Sequence, residues 1–92
     1  MLVIKDPGAR VDYVFDWGDA YLDGQVIVAA DWTVDPVVAG GVSVEAESHD
    51  LLRCAATLAG GAAGALYRVT NRVTLSDGQI DERSIVLRVE ER

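Results

Sequence analysis

Gly60-Gly61-Ala62-Ala63-Gly64-Ala65-Leu66-Tyr67-Arg68-Val69, followed by Val73, Leu75 and the turn Ser76-Asp77-Gly78, decides the fold class of this chain. A glycine-rich corner delivers a tyrosine onto the start of a long alternating segment. The turn then returns the chain through Ile85-Val86-Leu87-Arg88-Val89. Alternation with period two, bounded by glycine and Asp-Gly turns, is the pattern of an antiparallel hairpin. A phosphate-binding loop would need Lys-Ser/Thr and a helix after its glycines. A tyrosine and a strand follow instead, so the corner reads as a tight turn with positive backbone angles.

Working outward, Arg10–Trp17 predicts a strand with Val11, Tyr13, Phe15 and Trp17 on one face. Asp16-Trp17-Gly18-Asp19-Ala20-Tyr21-Leu22-Asp23-Gly24 breaks the alternation, with Asp16 or Asp19 placed to cap a single helical turn and Tyr21 and Leu22 to cover the end of the core. Gln25–Val34 alternates again, Val26, Val28, Ala30, Trp32 and Val34 facing one way, until Asp35-Pro36 ends it. Gly41–Glu47 predicts a short strand with Val42, Val44 and Ala46 inward, and Ser48-His49-Asp50 the next turn. Leu51–Leu58 is compatible with helix, but its shortness and the glycine after it favour strand. Tyr67–Leu75 and Ile80–Val89 complete about six or seven strands. The expected core between the sheets is Val28, Trp32, Tyr67, Val69, Val73, Ile85 and Leu87. Residues 1–9 read as an N-terminal arm and residues 10–92 as one domain. Leu2, Val3 and Ile4 are expected to pair with a sheet edge, of this subunit or of another.

The composition suits a packed globule: of 92 residues, half are hydrophobic and a quarter charged. A net charge of −7 opposes phosphate backbones, so nucleic acid is not an expected partner. No apolar run approaches the roughly 20 residues of a membrane helix, so no membrane partner is expected. The N-terminus carries no basic region with a following apolar stretch, so no signal peptide is read. Cys54 stands alone, which excludes an internal disulfide and fits a reducing compartment of synthesis. Its apolar phase, Leu52-Cys54-Ala56-Leu58, predicts a buried, inert thiol.

Catalytic patterns are missing. His49 is the one histidine, and the contiguous Ser48-His49-Asp50 cannot form a triad whose members meet from separate loops. Asp16, Asp19 and Asp23 lack EF-hand spacing, which leaves at most weak calcium binding in that loop. Asp81-Glu82-Arg83 is expected to pair across the hairpin with Arg68 or Arg72 at the surface. No catalytic residue, metal ligand or cofactor is assigned. Trp17 and Tyr21 are read either as packing at the core edge or as exposed rings. Trp32 is given to the core.

Two resemblances add to this reading. Val28-x-Ala30-x-Trp32-Thr33-Val34-x-Pro36 is similar to the second strand of fibronectin type III modules, and Gly64-x-x-Tyr67-x-Val69 resembles their tyrosine corner. That likeness implies an all-β, immunoglobulin-like antiparallel sandwich whose tyrosine hydroxyl bonds to upstream backbone. The second resemblance runs nearly end to end. Lys5-Asp6-Pro7, Asp12-Tyr13-x-Phe15-Asp16-Trp17-x-Asp19, Gly60-Gly61-x-Ala63-Gly64-x-x-Tyr67-x-Val69-x-Asn71, Ser76-x-Gly78 and Asp81-Glu82-Arg83-Ser84-Ile85 resemble small virion proteins of tailed bacteriophages. These are the fiber-tail adaptor or neck-region structural proteins. Family members carry a second tryptophan where Tyr21 stands and an arginine where Gln79 stands, so contacts made by those positions do not carry over.

The resemblance implies a non-enzymatic virion protein, made in the bacterial host's cytoplasm, that docks on other virion proteins in several copies. Leu2, Val3 and Ile4 of the arm, with Trp17, Asp19, Tyr21 and Asp23 of the acidic loop, are the expected docking residues. The residues leave a second reading open, a carbohydrate- or surface-binding sandwich in which the same aromatic rings stack on sugar. A third is a fibronectin-like accessory domain of a larger enzyme.

Overall fold

A computed structural model describes residues 2–18 and 24–91. Within them the chain runs β1 (Leu2–Lys5), β2 (Val11–Asp16), β3 (Ile27–Asp35), β4 (Val42–His49), β5 (Arg53–Gly60), β6 (Leu66–Leu75) and β7 (Ile80–Val89). No helix occurs among the described residues. The strands form two sheets, ordered β1-β7-β6-β3 and β2-β5-β4. All pairings are antiparallel except β1 with β7, which is parallel, Leu2 lying opposite Val86 and Lys5 opposite Val89. The all-β sandwich expected from the alternation is therefore present, and the ambiguous fifth segment is a strand.

The core lies between the sheets. Tyr67, Val69, Val73 and Leu75 from β6 and Ile85, Leu87 and Val89 from β7 face Phe15 of β2, Val42 of β4 and Cys54, Ala56 and Leu58 of β5. Phe15 bridges the layers, its ring stacked on Trp32 at 5.5 Å between centroids. Six of the seven expected core residues are buried; Val28 is not, at 56% exposed. The reason is a register shift between Ile27 and Ala29 against β6. One extra residue reverses the phase of everything before it. Ile27 is consequently buried in place of Val28, while Ala30, Trp32 and Val34 keep the predicted face. A second shift, between Val44 and Ala46, turns Ala46 outward against expectation.

The glycine corner behaves as a turn. Gly60 and Gly61 have φ of 77° and 109°. A Cβ on Gly61 would stand 2.6 Å from Val89 Cγ2, and one on Gly60 2.7 Å from the Gly41 carbonyl. The corner is closed by Tyr67, whose buried hydroxyl accepts the Ala62 N–H at 3.0 Å, as the tyrosine-corner likeness required. Gly64 N–H donates to the Val89 carbonyl at 2.7 Å, joining the corner to the last strand.

Strand ends moved by one or two residues. β4 extends to His49, and the turn falls at 50–52, where the Asp50 carboxylate accepts the N–H groups of Leu52 and Arg53 at 2.8 and 2.7 Å. Those two bonds hold the Asp50 carboxyl below its ordinary pKa. Leu52, counted in the apolar phase of β5, sits before the strand and is exposed.

Candidate interaction surfaces

Trp17 directly follows β2 and is fully buried. Its backbone N–H and that of Gly18 both donate to the Leu52 carbonyl, at 2.9 and 3.1 Å, which pins the strand end to the β4–β5 turn. The indole N–H donates to Asn71 Oδ1 at 2.7 Å, and Asn71 Nδ2 donates to the Asp31 carbonyl at 3.1 Å. The Arg83 guanidinium covers the ring from the other sheet, 4.6 Å from its centroid. Trp17 is thus a core-edge residue, and the expectation that it presents an exposed docking ring is corrected: its face and its polar edge are both occupied from within. With Trp17 and Trp32 both buried, neither tryptophan offers a face to a sugar. Asp19, Tyr21 and Asp23 lie outside the described residues.

The apolar arm is not free. Leu2–Lys5 is β1, the edge strand beside β7. Val3 and Lys5 point inward, and Lys5 is only 1% exposed. Its ammonium donates to the carbonyls of Gly60 at 2.7 Å and Asp6 at 2.8 Å. Burial pushes the Lys5 pKa down, partly offset by the Asp6 charge. Leu2 and Ile4 point outward, 54% and 45% exposed. By register Leu2 lies beside Val86 and then Arg68, and Ile4 beside Arg88 and then Leu66. Leu2, Ile4, Val86 and Leu66 therefore share the outer face next to the sheet edge, interleaved with two guanidiniums.

At the opposite end of the strands, Leu51 and Leu52 protrude from the β4–β5 turn. His49 is exposed nearby, with Nδ1 at 3.0 Å from the Asp50 carbonyl. Cys54 is buried as expected, and burial raises its pKa, so the thiolate is disfavoured. Among the described residues no cluster of three or more His, Cys, Asp or Glu is arranged to hold a metal. No helix among them is long and apolar enough to cross a membrane. Register sets Glu82 opposite Arg72 in the last hairpin; ion pairs among the described residues join Arg10 to Glu45, Arg53 to Asp50 and Arg88 to Glu90 instead.

Lys5, Asn71 and Arg83 were missed as structural residues, although phase marked each of them. Asn71 falls in step with Val69 and Val73, Arg83 with Ile85 and Leu87, and Lys5 with Val3. A polar side chain in a buried phase signals a partner across the sandwich.

Comparison with known families places the chain. The chain belongs to the family described as podophage GP4 fiber-tail adaptor protein gp77, whose model matches residues 5–88. The match runs from the buried lysine of β1 almost to the end of β7, and it bears out the phage resemblance of the sequence motifs. No curated protein matches the chain significantly.

Proposed function

We propose that this chain is a non-enzymatic structural protein of a tailed-phage virion, an immunoglobulin-like adaptor that joins fibre to tail and works in several copies. The family match over residues 5–88 carries the reading. A fiber-tail adaptor binds other virion proteins, and a sandwich with a dense core suits that role because it holds edges and turns in fixed relation. The immunoglobulin-like assignment is supported by strand order. β2-β5-β4 and β7-β6-β3 follow the B-E-D and G-F-C order of immunoglobulin sheets, and Tyr67 makes the corner bond. Synthesis in the host cytoplasm is supported by the lone buried cysteine.

Docking is assigned to Leu2, Val3 and Ile4 with the outer face beside them, and to Asp19, Tyr21 and Asp23 of the β2–β3 connection. Leu2 and Ile4 support this by their exposure. The deciding experiment is disruption of the gene in a producing phage, followed by mass spectrometry and electron microscopy of the particles. Particles without this chain should keep their tails and lose their fibres. Parent particles that do not contain the chain, or fibres that persist without it, would refute the role.

A further inference from the structure

β1 and β7 are the first and last strands among the described residues, and they lie side by side and parallel. Parallel pairing sets the start of β1, at Leu2, and the end of β7, at Val89, at opposite ends of their ladder. Tension between the chain before β1 and the chain after β7 therefore draws the two strands past each other along their length. A parallel ladder spaces its bonds evenly, so the four register pairs from Leu2 with Val86 to Lys5 with Val89 carry that load together. An antiparallel pair would bring both loaded ends to one end of the ladder, where its bonds open one after another. The Val89 end is reinforced on both flanks. Glu90 N–H donates to the Lys5 carbonyl at 2.9 Å, just past the last residue of β7. Across β7, Gly64 N–H donates to the Val89 carbonyl at 2.7 Å and Val89 N–H to the Ala65 carbonyl at 3.1 Å. Lys5 then fixes β1 lengthwise. Its ammonium, turned into the protein, donates at 2.7 Å to the carbonyl of Gly60, the last residue of β5 in the opposite sheet. β1 cannot slide along β7 without drawing that ammonium from a site where Lys5 is 1% exposed.

We infer that the β1–β7 pair is a mechanical clamp, which keeps the domain folded under tension between its two ends, with Lys5 as the lock. The inference rests on the adaptor role proposed above for its use: a joint between fibre and tail bears load, and a partner that grips Leu2 and Ile4 pulls on β1 itself. Its mechanics belong to this chain alone. Resistance to force is a rate, set by the barrier to unfolding and not by equilibrium stability. A clamp therefore shows itself as a lifetime that depends on where the chain is held. A sandwich that is merely stable has no such preference for one direction of pull.

The test holds single molecules of the purified chain at one constant force in two geometries. In the first, the handles are fused to the two ends. In the second, one handle is at the C-terminal end and the other on Gly8→Cys, just after β1, so the same ladder opens pair by pair from Lys5. Gly8 is exposed, and a Cβ there meets only the Asp6 carboxylate at 3.5 Å. Cys54 is buried, which leaves the introduced thiol to a maleimide handle. Ala9→Cys repeats the second geometry if Gly8→Cys lowers the melting midpoint. Held by its two ends, the chain should survive at least about tenfold longer than in the second geometry. Lys5→Met should shorten the end-to-end lifetime about tenfold, and by more than it speeds unfolding in urea without load. Equal lifetimes in the two geometries overturn the clamp. A Lys5→Met loss no greater under load than without it assigns Lys5 to packing and overturns the lock. Both outcomes leave the adaptor role standing, since that role is decided by the composition and fibres of the particles.

Discussion

Trp17 and Asn71 are joined across the two layers, the indole N–H of one donating to the side-chain carbonyl of the other at 2.7 Å. Trp17 directly follows β2 of the three-stranded sheet and Asn71 is central in β6 of the other, and both are fully buried. Asn71 passes the connection on to the Asp31 carbonyl at 3.1 Å, so β2, β6 and β3 share one polar crossing. In a chain whose single cysteine excludes a disulfide within it, this bond fastens the sheets in register.

Asn71→Leu leaves the buried indole N–H without its acceptor and removes the donor to Asp31. The expected loss is about 2–3 kcal/mol in urea unfolding with an unchanged denaturant slope. Trp17→Phe combined with Asn71→Leu should cost less than the two single losses added, because neither partner is then left unpaired. Trp32 supplies a contrast, since its buried indole N–H has no acceptor among the described residues. Trp32→Phe should therefore be milder than Trp17→Phe. A strictly additive double variant would sink the account of the crossing.

Tyr67→Phe keeps the buried ring and removes only the oxygen that accepts the Ala62 N–H. A loss of about 1 kcal/mol is expected, with amide exchange at Ala62 accelerating more than in the centre of β6. Uniform acceleration across the domain would mean that the corner bond has no local role.

Two glycines of the corner separate backbone strain from crowding. Gly64 has a positive φ of 86° and open space around a new Cβ, so Gly64→Ala should cost only about 1 kcal/mol. Gly61 adds the 2.6 Å approach to Val89 Cγ2, and Gly61→Ala should cost about 2 kcal/mol or more. Thermal melting of the two variants side by side decides the order, and equal losses would rule out the crowding.

Lys5 predicts an unusual alkaline behaviour. Burial lowers its pKa below the ordinary 10.5, so between the two values the unfolded chain holds a proton that the folded chain has released. Stability must then rise with pH across that window. Compared with Lys5→Met, the parent should gain relative stability as pH climbs toward 10.5 and show a constant difference below the window. A difference that stays flat throughout, or falls, would contradict the buried ammonium.

Much of this fold was legible in the sequence because alternation reports directly which face a side chain takes. The strands of the last hairpin and the tyrosine corner were readable for that reason. Val28 was misplaced because a bulge inserts one residue without any mark in the local pattern, and everything before it changes face. Lys5 in Lys5-Asp6-Pro7-Gly8 reads as a solvated turn; its phase with Val3 points it inward, but the Gly60 carbonyl that receives its ammonium lies 55 positions away. Leu52 failed for the opposite reason, since its phase was correct but the Asp50 cap starts the strand after it. Of the candidate docking residues, Leu2 and Ile4 were legible as an apolar segment, but not their place beside β7. Trp17 was equally compatible with packing and presentation until Asn71 and Arg83 were located around it.

The parallel pairing of β1 with β7 sets a timetable for synthesis. β1 is translated before every other strand of the sandwich and pairs with β7, which follows them all, so it waits for β7 to emerge before its place exists. Contacts between such distant parts of a chain close late and slowly. During that interval the β2-β5-β4 sheet and the β3–β6 pair can close first, and Lys5 remains in water until Gly60 and the corner have formed. The final seating of β1 therefore couples the emergence of β7 to completion of the sheet.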